Sequence, residues 1–149
     1  MKLNELLKGL TVLAATADMD TDITDVCYDS RQTAEGGLFV AIAGAETDGH
    51  RFIPMAREKG AACVVCQHAP DGDIPYVVVE DSRRALAVIA CNWFDHPSRE
   101  MTMIGVTGTK GKTTTTHMIK SVLEAAGRKV GMIGTNGIYY MGRHKDTAN

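Results

Sequence analysis

The sequence carries no excess of either charge: 16 lysines and arginines stand against 18 acidic residues, for a formal net charge of −2 and a pI near 6.2. That balance removes the electrostatic reason to expect nucleic acid or an anionic membrane as a partner. There is also no apolar run approaching the ~20 residues that a membrane span needs. The first residues, MKLNELLKGLTVLAATADMD, hold lysines and leucines as an export signal would, but Glu5, Lys8 and Gly9 interrupt the apolar stretch. No continuous hydrophobic region forms. An amphipathic helix with Leu3, Leu6, Leu7 and Leu10 on one face fits these residues better, and the cytoplasm is the expected compartment. Internal repeats and low-complexity tracts are absent.

Cysteine is scarce. Of the four, Cys27, Cys63, Cys66 and Cys91, only Cys63 and Cys66 have a metal-like or redox-like spacing, C-V-V-C. They lie in AACVVCQ, which reads as a buried strand, and residues three apart on a strand point to opposite faces. Two thiolates so placed do not share a zinc, and no second pair completes four ligands. Buried core thiols are the expected role. A chain of 149 residues with 44% hydrophobic and 23% charged content is long enough to bury a core without disulfides, and close to the soluble globular average.

Two segments with different patterning follow. Over residues 1–98, the runs VCYDS, LFVAIAG, ACVVC and YVVVE are strand-length and bounded by turn residues. HRFIPMAREKG, with Phe52, Ile53, Ala56 and a closing Gly60, predicts a short helix. Asp81-Ser82 marks a second helix start, followed by RRALAVIACNWF with Leu86, Ile89, Ala90, Trp93 and Phe94 on one side. This order predicts an α/β domain with a mixed or parallel sheet. DHPSRE, with Pro97, is the expected break. Over residues 99–149 the pattern restarts: MTMIGV as a buried strand, a glycine-bearing turn, and the helix TTTHMIKSVLEAAG. Met118, Ile119, Val122, Leu123 and Ala126 are its apolar stripe, and KVGMIGT is the next strand. A strand–loop–helix–strand unit of this kind predicts two parallel neighbours. Two strands and a helix do not cover both faces of a parallel sheet, so this second domain is expected to be incomplete and the chain to be the front part of a longer protein.

The turn is Val106-Thr107-Gly108-Thr109-Lys110-Gly111-Lys112-Thr113-Thr114. Gly108 and Gly111 let the backbone curl with amides facing inward. The helix that follows aims its positive end and unpaired N–H groups at an anion. Lys112 can reach β- and γ-phosphates, and the Thr113 hydroxyl can ligate Mg²⁺. The strict pattern G-x-x-x-x-G-K-[ST] is not met, because Val106 occupies the first glycine position. G-x-x-G-K-T-T remains in a strand–turn–helix setting, and ATP is the expected ligand, with Gly108, Thr109, Lys110, Gly111, Lys112, Thr113 and Thr114 around it. Lys110 either touches phosphate or is solvated.

These residues resemble those of the Mur ligases, which build the peptide stem of bacterial peptidoglycan. IGVTGTKGKTTTT is similar to their ATP loop, and AAGRKVGMIGTNG to the strand after it in the diamino-acid-adding MurE type. YDSR, GGLFVAIAG and TDGHRFI are similar to the uridine-nucleotide-binding domain of the MurE and MurF types. The resemblance implies a UDP-MurNAc-binding domain over 1–98 and the truncated start of a Rossmann-like ATP-binding domain over 99–149. It implies ATP- and Mg²⁺-dependent addition of lysine or diaminopimelate to UDP-N-acetylmuramoyl-L-alanyl-D-glutamate through an acyl phosphate, by a monomer. Residue by residue, it assigns Ser30 and Arg31 to the uracil and diphosphate side, and Ala45, Glu46 and Thr47 to the loop that closes on the nucleotide. Asn149 would meet the muramoyl-peptide, and Lys112 would act on the moving phosphoryl group. An acidic magnesium ligand, a modified lysine and the amino-acid-selecting domain would lie beyond residue 149, so ligation by these residues alone is not expected. Asp48-Gly49-His50 reads as a turn and helix start, not as a catalytic base. A non-catalytic UDP-sugar-binding fragment, a MurF-type ligase and an unrelated P-loop NTPase are the competing readings.

Overall fold

The computed structural model describes residues 1–44 and 47–146. The chain divides into two units, Met1–Met101 and Thr102–Asn149.

In the first unit, short runs rich in valine, leucine and cysteine form a mixed five-stranded sheet. Its strands are β1 (Val12–Ala15), β2 (Val26–Cys27), β3 (Leu38–Val40), β4 (Cys63–Cys66) and β5 (Tyr76–Val79), in the spatial order β1-β5-β4-β3-β2. β2 to β5 run parallel, and β1 joins the edge of β5 in the antiparallel sense. The helices are α1 (Leu3–Leu6), α2 (Ile53–Glu58) and α3 (Ser82–Trp93), with a 3-10 turn at Gly49–Phe52 leading into α2.

Because side chains alternate across a strand, each central strand feeds both faces. Leu38, Val40, Cys63, Val65, Val77 and Val79 point to the face covered by α1 and α3, where Leu3, Leu6, Ala85 and Ile89 complete the core. Phe39, Val64, Cys66 and Val78 point to the other, covered by Ile53 and Ala56 of α2. Each Val, Leu, Ile or Phe among them contributes roughly 1.5–3 kcal/mol when fully buried. Cys63 and Cys66 therefore lie in opposite cores, as the strand period requires. Burial pushes the Cys63 thiol up to about 12 and the Cys66 thiol up to about 11. α3 starts where Asp81 Oδ1 accepts from the amides of Arg83 and Arg84 at 2.9 and 3.0 Å, satisfying two of the orphan donors of its first turn. After α3, Asp95 and His96 are left-handed, and Pro97 opens a 3-10 turn.

β1 escaped the sequence reading. Val12–Ala15 is exposed throughout, so no alternation marks it as a strand; its ladder is with β5.

The second unit departs further from expectation. Its helix α4 (Lys112–Ala125) forms, two residues ahead of the TTTHMIKSVLEAAG stretch. Residues 101–106, expected as a buried strand, form no strand and are mostly exposed. β6 (Gly131–Gly134) pairs antiparallel with β7 (Gly137–Tyr140), which pairs antiparallel with β8 (Arg143–Lys145), instead of entering a parallel pair. Parallel strands need ladder partners distant in sequence and cover on both faces. Tight hairpins satisfy their hydrogen bonds locally. Met141 and Gly142, both at positive φ, form the turn between β7 and β8. Along the predicted apolar stripe of α4, Ile119 and Leu123 are half-buried, whereas Met118 and Val122 remain 65% and 68% exposed.

Candidate functional site

Parallel pairing sends every strand from β2 to β5 out of the sheet at the same edge, and in open α/β sheets ligands bind outside the carboxyl ends of the strands. Ser30 and Arg31 follow β2, and Thr47 lies in the loop that leaves its neighbour β3. The residues implied for a uridine nucleotide thus leave adjacent strands on one edge, although no hydrogen bond among the described residues joins Ser30 or Arg31 to Thr47. Ala45, Glu46 and Asn149 lie outside the described residues.

Ser30 opens a 3-10 turn capped by Asp29, whose Oδ1 accepts from the Arg31 amide at 3.0 Å. The Ser30 hydroxyl is 6% exposed and donates to Met55 Sδ on α2 at 3.3 Å. Thioether sulfur is a weak acceptor, so a better one would readily recruit this hydroxyl. Arg31 is held in a bidentate clamp by Asp29, Nε to Oδ1 at 2.9 Å and Nη2 to Oδ2 at 2.8 Å. The guanidinium bonds, with the Arg31 amide, hold the Asp29 carboxyl well below the usual carboxylate range. Lys59 Nζ donates to the Arg31 carbonyl. Tyr28, which the sequence reading did not single out, is 67% exposed beside these residues. Its only signal was an aromatic ring next to a strand end.

Beyond β3, Ala43 bridges Asp48, and Asp48 Oδ1 caps the 3-10 turn by accepting from the His50 amide at 3.0 Å. The turn and helix start read from Asp48-Gly49-His50 are present. Gly49 is required here by close approach: a Cβ would sit 2.7 Å from the Ile42 carbonyl oxygen.

In the second unit, Gly108 has φ +142° and Gly111 φ +78°, backbone that favours glycine. Gly111 is the residue before α4, and no side chain caps the helix there. The first-turn amides are therefore free of a competing side-chain acceptor, as an anion site requires. Lys112 Nζ donates to the Gly108 carbonyl at 2.5 Å, folding its charge over the loop. Thr109, Lys110, Thr113 and Thr114 are all exposed. This loop fits a polyphosphate: a curled backbone, an uncapped helix start, one lysine and hydroxyls. A magnesium ion would find one oxygen in the exposed Thr113 hydroxyl. Among the described residues no group of three His, Cys, Asp or Glu is placed to hold a metal, so phosphate oxygens and water would make up the rest.

Among the described residues no helix is long and apolar enough to cross a membrane.

Comparison with known proteins adds to this geometry. Residues 22–93 match the family described as "Mur ligase family, catalytic domain", and residues 106–149 match "Mur ligase middle domain". A UDP-N-acetylmuramoyl-L-alanyl-D-glutamate–2,6-diaminopimelate ligase of Clostridium acetobutylicum is 45% identical over 141 residues, covering 93% of this chain and 29% of that protein. The crystal structure of MurF from Acinetobacter baumannii is similar with a TM-score of 0.65 at 25% identity, over 83% of this chain and 27% of its own. MurF ligase from Thermotoga maritima, solved in complex with ADP, has a TM-score of 0.52 at 30% identity, over 68% of this chain and 23% of its own. The chain thus spans well under half the length of the relatives it matches.

Proposed function

The chain belongs to the Mur ligase family, and on that premise we propose that it is the nucleotide-handling front part of a MurE-type ligase. Residues 1–98 form the domain that binds UDP-N-acetylmuramoyl-L-alanyl-D-glutamate, and residues 99–149 begin the ATP-binding domain. The reading is supported by 45% identity to a diaminopimelate-adding relative over 93% of this chain. The observation that carries it is the shared carboxyl edge of β2 and β3, which presents a buried hydroxyl, a guanidinium and an aromatic ring together.

On that edge, Arg31 meets the diphosphate by exchanging Asp29 for phosphate oxygens, a planar bidentate match for a fork of N–H donors. Ser30 exchanges the Met55 sulfur for a uracil or ribose oxygen. Tyr28 offers a face for the base, and Thr47 closes from the neighbouring loop. In the second unit, Gly108 to Thr114 cradle the phosphates of ATP, Lys112 offsets charge on the β- and γ-phosphates, and Thr113 holds Mg²⁺. Bound ATP supplies the phosphoryl group that activates the glutamate carboxylate, so that the amine of lysine or diaminopimelate can form the amide. The protein's part is positioning and charge neutralisation. The soluble, monomeric form and the cytoplasmic compartment belong to the same reading.

A second reading is favoured by the packed core of the first unit against the lack of any buried residue in α4: these 149 residues bind a UDP-sugar without turnover. Titration calorimetry with UDP tests the common core of both. Measurable binding, weakened about three- to tenfold by Ser30→Ala, is expected. No uptake of any uridine nucleotide by the folded chain would refute both readings.

A further inference from the structure

Resting on the uridine-nucleotide reading of the first unit, we infer that His50 is a positioning residue for that site, tying the turn into α2 to the ends of β4 and β5. Both ring nitrogens are engaged. Nδ1 lies 2.6 Å from Asp48 Oδ1, and Nε2 accepts the Gln67 amide at 2.9 Å. An ionised carboxylate only accepts, so the hydrogen sits on Nδ1 and Nε2 is bare. The amide facing Nε2 can only donate, so the two contacts demand the same tautomer. Asp48 is kept ionised, its carboxyl held below the ordinary value by the His50 amide first and the His50 ring second.

The chain of bonds continues from Gln67, the residue after β4. Its Oε1 accepts from the fully buried Ser82 hydroxyl at 3.0 Å, and its Nε2 donates to the Glu80 carbonyl at 3.2 Å. The exits of β3, β4 and β5 and the start of α3 are thereby joined. In the other direction, the turn that carries His50 runs without a break into α2. There Met55 accepts from Ser30, and Lys59, just past its end, donates to the Arg31 carbonyl. His50 therefore fixes one end of the helix against which Ser30 and Arg31 rest. Both nitrogens are turned inward to protein partners.

Two measurements on the whole 149-residue chain test this. Nitrogen-15 spectra of the imidazole at neutral pH should show Nδ1 protonated and Nε2 bare; the opposite tautomer overturns the proposal. In calorimetric titration with UDP, His50→Phe keeps the ring's bulk but neither bond, and should bind about tenfold more weakly. His50→Gln returns an acceptor to the Gln67 amide and should recover a large part of that loss. If His50→Phe does not fold, the tautomer decides, and a proton found on Nε2 overturns the proposal. A folded His50→Phe chain within about twofold of the unaltered one also overturns it, while leaving the uridine-nucleotide reading intact. An unaltered chain that takes up no UDP removes that reading and this inference together.

Discussion

The two units use the same local grammar, a short apolar strand, a turn and an amphipathic helix, and reach different ends. In the first, Leu38, Phe39, Val40 and Cys63 to Cys66 are completely buried, because parallel neighbours and helices on both faces complete the sheet. In the second, α4 has no buried residue, Ile133 of β6 is 77% exposed, and residues 101–106 form no strand. Turn chemistry and helix periodicity act over a few residues and hold in both. A parallel strand depends on partners distant in sequence, whereas the hairpins of the second unit pair close neighbours. The glycine turn before α4, a local object, keeps its curled backbone whatever becomes of the sheet.

Breaking the stronger unit should cost most. Phe39→Ala removes the largest fully buried side chain from the α2 face and should lower stability by about 3–5 kcal/mol in urea unfolding. A cost under about 1 kcal/mol would mean that this face is not a packed core. The same burial should appear in thiol chemistry. Cys63 and Cys66, with pKa values pushed up to about 12 and about 11, are almost entirely protonated at neutral pH, while Cys91 is exposed. Mass spectrometry after brief alkylation should therefore find label on Cys91 and almost none on the other two until denaturant is added; prompt label on Cys63 would contradict the two-sided core.

In the second unit, Lys112→Ala should weaken ATP binding about tenfold or more, through loss of one charge-assisted contact. Unchanged ATP affinity would remove the lysine from the site. Smallest of all, Met118→Asp and Val122→Asp should change the stability of this chain by no more than about 0.5 kcal/mol, because neither side chain is buried. A larger loss would show that the stripe of α4 is covered in solution.

What could be read from the sequence follows the same division. β2 to β5, α3 and its Asp81 cap, and the opposed cysteines were legible because each is announced by neighbours within a few residues. So was the loop from Gly108 to Thr114. β1 was not, since an exposed edge strand has no alternation to display. The hairpins β6-β7-β8 were missed because the strand–loop–helix–strand pattern predicts a parallel pair only when a sheet is there to receive it. At the candidate site, Ser30, Arg31 and Thr47 could be named, yet their common edge is a consequence of parallel register. The link from His50 to Gln67 spans 17 residues and that from Gln67 to Ser82 spans 15, and nothing in the spacing of a histidine, a glutamine and a serine signals it.

The most direct test is to map amide chemical shifts in the 149-residue chain as UDP is added, and separately as ATP and magnesium are added. UDP should move the amides of residues 28–31 and 47–50 and leave 108–116 still, and ATP should do the reverse. UDP-induced shifts confined to the glycine loop, or absent from the carboxyl edge of β2 and β3, would contradict the account.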